Sequence, residues 1–210
     1  TIALPSSSII GLVDTFTPDS KLTAQADVPV LLTSLREAAA AFGTASAIYK
    51  SCTAIFTQSA AVVVAVGVAK LEDAAQQTSS IIGSVTEAGQ RTGLQALLDG
   101  KSRFNAQPRL LIAPKHSATQ AVATAMGALA EKLRAIAIVD GPNTTDEAAL
   151  AYAEEFGSKR IFLVDPGVQY WDTASSATVD APASANAAAL FAWTDSQYGF
   201  WSSPSNKELL

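Results

Sequence analysis

Val62-Val63-Val64-Ala65-Val66 decides the fold, because no polar residue interrupts it. Successive side chains of a strand point to opposite faces, so a strand with one wet face alternates apolar and polar residues. An unbroken apolar run marks a strand buried on both faces, as in a parallel sheet covered by helices on each side. The pattern returns in Leu110-Leu111-Ile112-Ala113, in Ala135-Ile136-Ala137-Ile138-Val139 and in Ile161-Phe162-Leu163-Val164. Ile9 to Val13 and Val28 to Leu32 are further strand candidates, with an edge position open to the first.

Helical segments with legible ends lie between these runs. Ser34 and Glu37 form a capping box and Gly43 supplies the stop. From Ala45 to Gln58 the apolar positions Ile48, Cys52, Ile55 and Phe56 share one face. Ser117 or Thr119 caps the next helix, whose buried stripe is Val122, Met126, Leu129 and Leu133. Thr144 and Glu147 make a second capping box, followed by Tyr152, Ala153 and Phe156 and a stop at Gly157. Pro182 suits the first turn of a last helix running to Trp193. The alternation predicts an α/β fold: a mostly parallel, doubly wound sheet flanked by helices, with right-handed crossovers. Val64, Leu111, Ile138 and Phe162 should then be buried at the centres of four neighbouring strands.

Residues 1–210 read as a single α/β body, with 81–107 as a glycine-rich connection plus a short helix inside it. There, Gly89 with Gln90 reads as a turn and Thr92 as the cap of a helix beginning near Gly93. The first residue is Thr1 and the sole methionine is Met126, which reads as processing, truncation or release from a tag. The length suits one large domain, and 49% hydrophobic against 16% charged residues is a globular composition.

The net charge of −5 and scattered lysines and arginines make nucleic acid a poor partner. No apolar run approaches the roughly 20 residues of a membrane span, and no signal peptide opens the chain. Cys52, the sole cysteine, excludes an internal disulfide and a thiolate metal site and fits a reducing compartment; on its apolar stripe it reads as a buried structural thiol.

Ligands of open α/β sheets sit beyond the carboxyl ends of the strands. Those ends carry Lys115-His116, Asp140-Gly141 and Asp165-Pro166-Gly167. One reading makes His116 a general base oriented by Asp140 or Asp165. The other makes them turn residues in solvated loops, with no nucleophile elbow beside them. No phosphate loop, dinucleotide fingerprint or metal-ligand cluster occurs, so no catalytic residue, cofactor or metal is expected. An enzyme should have a concave, partly apolar cavity above the strand ends, and a purely mechanical body should not. Trp193 reads as core, whereas Tyr198-Gly199-Phe200-Trp201 fits either a core or contact with chain beyond it.

The segment Ile81-Ile82-Gly83 … Gly89-Gln90-Arg91-Thr92-Gly93-Leu94-Gln95-Ala96-Leu97-Leu98 resembles the tail sheath proteins of contractile phage tails, of the P2-like and R-type pyocin kind. The resemblance continues in order through Pro29-Val30-Leu31-Leu32-Thr33-Ser34, Phe42-Gly43, Pro108–Pro114, Glu131–Ala135, Leu163-Val164-Asp165-Pro166, Trp171-Asp172-Thr173 and Gly199–Asn206. The family's N-terminal arm and large C-terminal portion have no counterpart here. The resemblance implies a structural subunit, not an enzyme, stacked as a helical tube of six-fold rings around the tail tube. It implies contraction that drives the tube through the host envelope. The implied partners are other copies of the chain, the tail tube protein, the baseplate and the tail terminator. The implied location is the virion tail, assembled in the host bacterial cytoplasm. Without the arms, this chain is expected to be monomeric.

Overall fold

The computed structural model describes residues 8–172 and 176–209. Its central element is a sheet of β1 (Ile10–Phe16), β2 (Pro29–Leu32), β3 (Val63–Ala69), β4 (Leu110–Ile112), β5 (Ile136–Asp140) and β6 (Ile161–Val164). The spatial order is β2-β3-β1-β4-β5-β6. Every pairing is parallel except that of β2, which runs antiparallel along β3. The parallel strands, numbered in chain order, therefore lie 2-1-3-4-5, and the order reverses between β1 and β4.

The helices are α1 (Leu35–Phe42), α2 (Ala47–Gln58), α3 (Ala74–Ile82), α4 (Gly100–Phe104), α5 (Gln120–Leu133), α6 (Asp146–Glu154) and α7 (Ser184–Tyr198). A 3₁₀ segment, Gly93–Asp99, precedes α4. Strand alternation sorts the core into two layers. Val64, Val66, Leu111 and Val139 pack with Ile81 of α3, Leu94 and Leu97 of the 3₁₀ segment, and Val122, Met126 and Leu129 of α5. Val63, Ala65, Ile112 and Ile138 face Phe42 of α1, Ile48, Cys52 and Ile55 of α2, and Ala185, Ala188 and Ala192 of α7. Burial on both faces is what the unbroken apolar runs required. The mostly parallel, doubly wound sheet is present.

Several local expectations need correction. β1 is central, not at an edge: Ile10, Leu12 and Val13 are wholly buried between β3 and β4. β6 is the edge instead, so Phe162 stays 45% exposed and meets Phe191 of α7 edge-on at 5.3 Å. Val64, Leu111 and Ile138 are buried as expected, although β1 intervenes between β3 and β4.

Ser34 Oγ accepts from Glu37 N at 3.3 Å, but the Glu37 carboxylate reaches Thr33 N (2.7 Å) and Thr33 Oγ1 (3.0 Å), one residue earlier than a strict capping box. The α6 cap is Thr145, accepting from Ala148 N at 3.2 Å, not Thr144, and α6 ends at Glu154, before Gly157. Pro182 precedes the α7 cap Ala183 instead of entering the first turn. Thr92 does not cap with its side chain. Its Oγ1 accepts from Ser84 N (2.9 Å) and donates to Ser84 O (3.2 Å), stitching the base of the Gly89 turn. Gly89, at φ 79°, turns the chain between Val85 and Arg91.

Beyond the sheet, β7 (Val168–Asp172) and β8 (Ala177–Ala181) form an antiparallel ribbon. It leaves the carboxyl end of β6 and returns to the start of α7, so it stands at the carboxyl end of the sheet. Of the family motif Trp171-Asp172-Thr173, Thr173 lies outside the described residues.

Candidate functional site

The reversal between β1 and β4 opens the crevice where a fold of this order holds a ligand. The structure does not unite His116, Asp140 and Asp165 there. His116 Nε2 lies 3.6 Å from Asp14 Oδ1 in the carboxyl half of β1, a residue for which the sequence offers no site motif. His116 is half-buried, not an exposed loop residue. Asp14 is 3% exposed, and its other oxygen accepts from Ser51 Oγ of α2 at 3.0 Å. The histidine, carboxylate and hydroxyl thus occur together in the wrong order. A nucleophile needs histidine between carboxylate and hydroxyl so that imidazole removes the hydroxyl proton. Here the carboxylate is in the middle, so Ser51 donates to it and gains no base.

Asp140 is consumed still more completely. Its Oδ2 accepts from Lys115 N (3.1 Å), Ser117 Oγ (3.0 Å) and Ser184 Oγ (2.7 Å), and its Oδ1 from Ser184 N (2.8 Å). Its own backbone N donates to Ser117 Oγ at 2.9 Å. A buried charge persists only when its hydrogen bonds are met, and here they are met by the chain itself. The bond to Ser184 N also places negative charge on the first turn of α7, where the helix dipole favours it. Asp165 has a different task. Its Oδ2 accepts from Asn143 N (2.8 Å), while Asn143 Oδ1 accepts from Gly167 N (3.0 Å), which braces the root of the β7–β8 ribbon.

A cleft of about 340 Å³ does lie beyond the strand ends, contrary to the expectation of none, with Lys115, Asp140, Asn143, Val164, Asp180 and Pro182 in its lining. The ribbon forms one wall of it. Its buried carboxylate, Asp140, has its accepting positions filled from within.

Two other reactive groups are turned inward. Burial, and then the Asp14 charge, pushes the Cys52 thiol up to about 12, so it is no nucleophile at neutral pH. Burial, and then the Asp140 charge, likewise raises the Tyr152 phenol to about 12, and its OH donates to Ser117 O at 2.7 Å. Among the described residues no group of His, Cys, Asp and Glu is placed to hold a metal ion, and no helix is long and apolar enough to cross a membrane.

Large apolar groups face outward elsewhere. Trp171 on the ribbon is 62% exposed, and Phe200 and Trp201 after α7 are 72% and 77% exposed. Trp193 is half-buried, edge-on to Tyr198 at 5.9 Å, so it is not fully core. Lys207 Nζ sits over the Tyr198 ring at 4.2 Å. Tryptophans left this exposed are characteristic of interfaces.

Residues 89–210 match the phage tail sheath protein central domain, and residues 7–68 match the tail sheath protein Gp18 domain III N-terminal region. The chain belongs to the phage tail sheath family. It is 69% identical over 209 residues to a prophage major tail sheath protein of Pseudomonas aeruginosa (strain UCBPP-PA14), covering 100% of the chain and 54% of that relative. It is 33% identical over 216 residues to the tail sheath protein of Escherichia phage P2, covering 98% of the chain and 53% of the relative. This sheath chain therefore spans about half the length of the relatives it matches. In fold it is similar to the contracted helical sheath of the anti-feeding prophage, with a TM-score of 0.61 at 21% identity over 96% of this chain and 50% of that one. It is also similar to the contracted PVC sheath complex of an extracellular contractile injection system, with a TM-score of 0.59 at 20% identity over 94% of this chain and 48% of that one. The two family matches meet in one sheet: the match over residues 7–68 supplies β1, β2 and β3, and the match over residues 89–210 supplies β4, β5 and β6.

Proposed function

We propose that residues 1–210 are the α/β body of a contractile tail sheath subunit and move as one unit during contraction. In this reading the complete protein polymerises as a helical tube around the tail tube, joined to the baseplate at one end and the tail terminator at the other. Contraction shortens and widens the lattice and drives the tube through the host envelope. Assembly takes place in the host bacterial cytoplasm, and the finished sheath is part of the virion. The body performs no catalysis and uses no cofactor or metal.

The observation that carries the reading is the internal use of the strand-end polar groups. A binding fold keeps its switch-point groups available to a ligand. Here Asp140 ties β5 to α7 and to the loop after β4, and Asp14 ties β1 to α2 and His116. Family membership supports the same reading, and so do the sheath assemblies among proteins of similar fold. Negative-stain electron microscopy of the full-length protein tests it. Long hollow tubes are expected, and only dispersed particles under all assembly conditions would sink the proposal.

A further inference from the structure

The two ends of the sheet carry opposite charge on the same half of the molecule. At the amino ends of β4, β5 and β6 stand Arg109, Arg134 and Arg160. Lys132 and Lys159 flank them, and the short helix α4 adds Lys101 and Arg103. Arg109 Nη1 is engaged with Leu133 O at 2.7 Å, and Arg160 Nε with Glu131 at 3.2 Å. Lys101, Arg103, Lys132, Arg134 and Lys159 are exposed and make no ion pair among the described residues.

Beyond the carboxyl ends of β5 and β6 stand Asp146 and Glu147 in the first turn of α6, half-buried Asp165 after β6, and Asp180 on β8 of the ribbon at the cleft. Lys115 is the cation among them. Helix dipoles account for the sign at each end, since acids suit first turns and bases last turns. They do not account for exposed basic charge gathered over three adjacent strands at one end, nor for acidic charge gathered beyond β5 and β6 and on the ribbon at the other. Unmatched patches of this kind steer and register a partner of opposite sign.

We propose that these ends are a matched pair: the basic amino end of β4–β6 in one copy of the chain faces the acidic end formed beyond β5, β6 and the ribbon in the next. The inference rests on the sheath reading above and supplies the contact that reading leaves open. Because both patches sit on the same half of the sheet, displacement along the strand direction brings them together. Such a head-to-tail contact uses different surfaces on its two sides and generates a ring or an open helix, unlike a two-fold dimer that would set each patch against itself.

Charge exchange in the full-length protein tests the proposal. Lys132→Glu with Arg134→Glu reverses the basic end, and Asp146→Lys with Glu147→Lys reverses the acidic end. Each pair should lower tube yield by about tenfold or more, because like charges then face each other across the contact. The variant carrying all four substitutions should recover tubes, because complementarity is restored with the signs exchanged. Tubes of normal yield from either pair, or no recovery in the fourfold variant, would overturn the inference while leaving the sheath reading intact. Absence of tubes from the unaltered protein would overturn both. If circular dichroism shows that a reversed pair has not folded, Lys132→Gln with Arg134→Gln takes its place. Tube yield should then depend less steeply on salt than in the unaltered protein, and an unchanged dependence would overturn the inference.

Discussion

Asp140 shows how a residue placed for catalysis can serve only to hold the fold. Its carboxylate accepts from Lys115 N, Ser117 Oγ, Ser184 N and Ser184 Oγ, so two other chain segments converge on one buried charge of β5. Asp140→Ala would leave those donors buried and unmatched, and we expect a loss of about 2–4 kcal/mol, read by urea unfolding of the 210-residue chain. Asp140→Asn keeps the shape but turns an amide toward hydroxyl donors, and it should be destabilising by a smaller amount. His116 requires a revised expectation. An exposed loop histidine could be removed freely, but this one is half-buried beside Asp14. His116→Ala should destabilise by about 1 kcal/mol through lost packing and a less well-met Asp14, and a melting temperature unchanged within error would refute that assignment.

Gly83 and Glu37 fix what happens between elements. Gly83 closes α3 at φ 69°, and a Cβ there would lie 1.9 Å from Thr92 O. Gly83→Ala must therefore both strain the backbone and push the Gly89 turn away, at an expected loss of about 2 kcal/mol or more in thermal unfolding. Hydrogen bonds from Thr33, first its backbone N–H, hold the Glu37 carboxyl below its ordinary range. A lowered folded value means that the ionised group adds stability above the ordinary carboxylate range, and that this is lost as pH falls through the folded value. The exposed site keeps the effect small. Glu37→Gln should lower the melting temperature slightly at pH 7 and bring no difference at the acid end, where the native side chain is also neutral.

The sheet was legible at this scale because two-sided burial leaves an unbroken apolar run, as in Val62–Val66. Edges were less legible. Ile161-Phe162-Leu163-Val164 is as apolar as a central strand, yet among the described residues one rim of it has no neighbouring strand. Helix α3 is not legible in the sequence because Gln76, Gln77, Thr78 and Ser79 mask its periodicity, and only Gln77 and Ile81 are buried. The β7–β8 ribbon went unseen because half its residues are polar and its faces are mostly open. The candidate site was the least legible part. Its order depends on Asp14 and Ser184, residues far apart in the chain that only topology places beside His116 and Asp140. One signal was available: an aspartate interrupting an apolar strand, as in Val13-Asp14, demands partners once buried.

At the scale of the whole molecule, the 210-residue chain should be monomeric at micromolar concentration. Exposed ion pairs contribute only about 0–1 kcal/mol each, and each copy offers a partner one basic end and one acidic end. Light scattering at physiological salt checks this, and stable hexamers or filaments of this chain would contradict it.

The two halves of the sheet meet at β4, the short strand of three residues between β1 and β5. Three residue pairs, Ile10↔Leu110, Gly11↔Leu111 and Leu12↔Ile112, join β1 to β4, whereas seven join β1 to β3. A pull directed along the strands loads all the rungs of that seam together, in shear. A sideways pull opens them in succession, as a zipper parts. The molecule is therefore anisotropic, stiff along its strands and weaker across the three-pair seams on either side of β4, and at the β1–β4 line α2 and α7 pressed together on one face act as a splint against peeling.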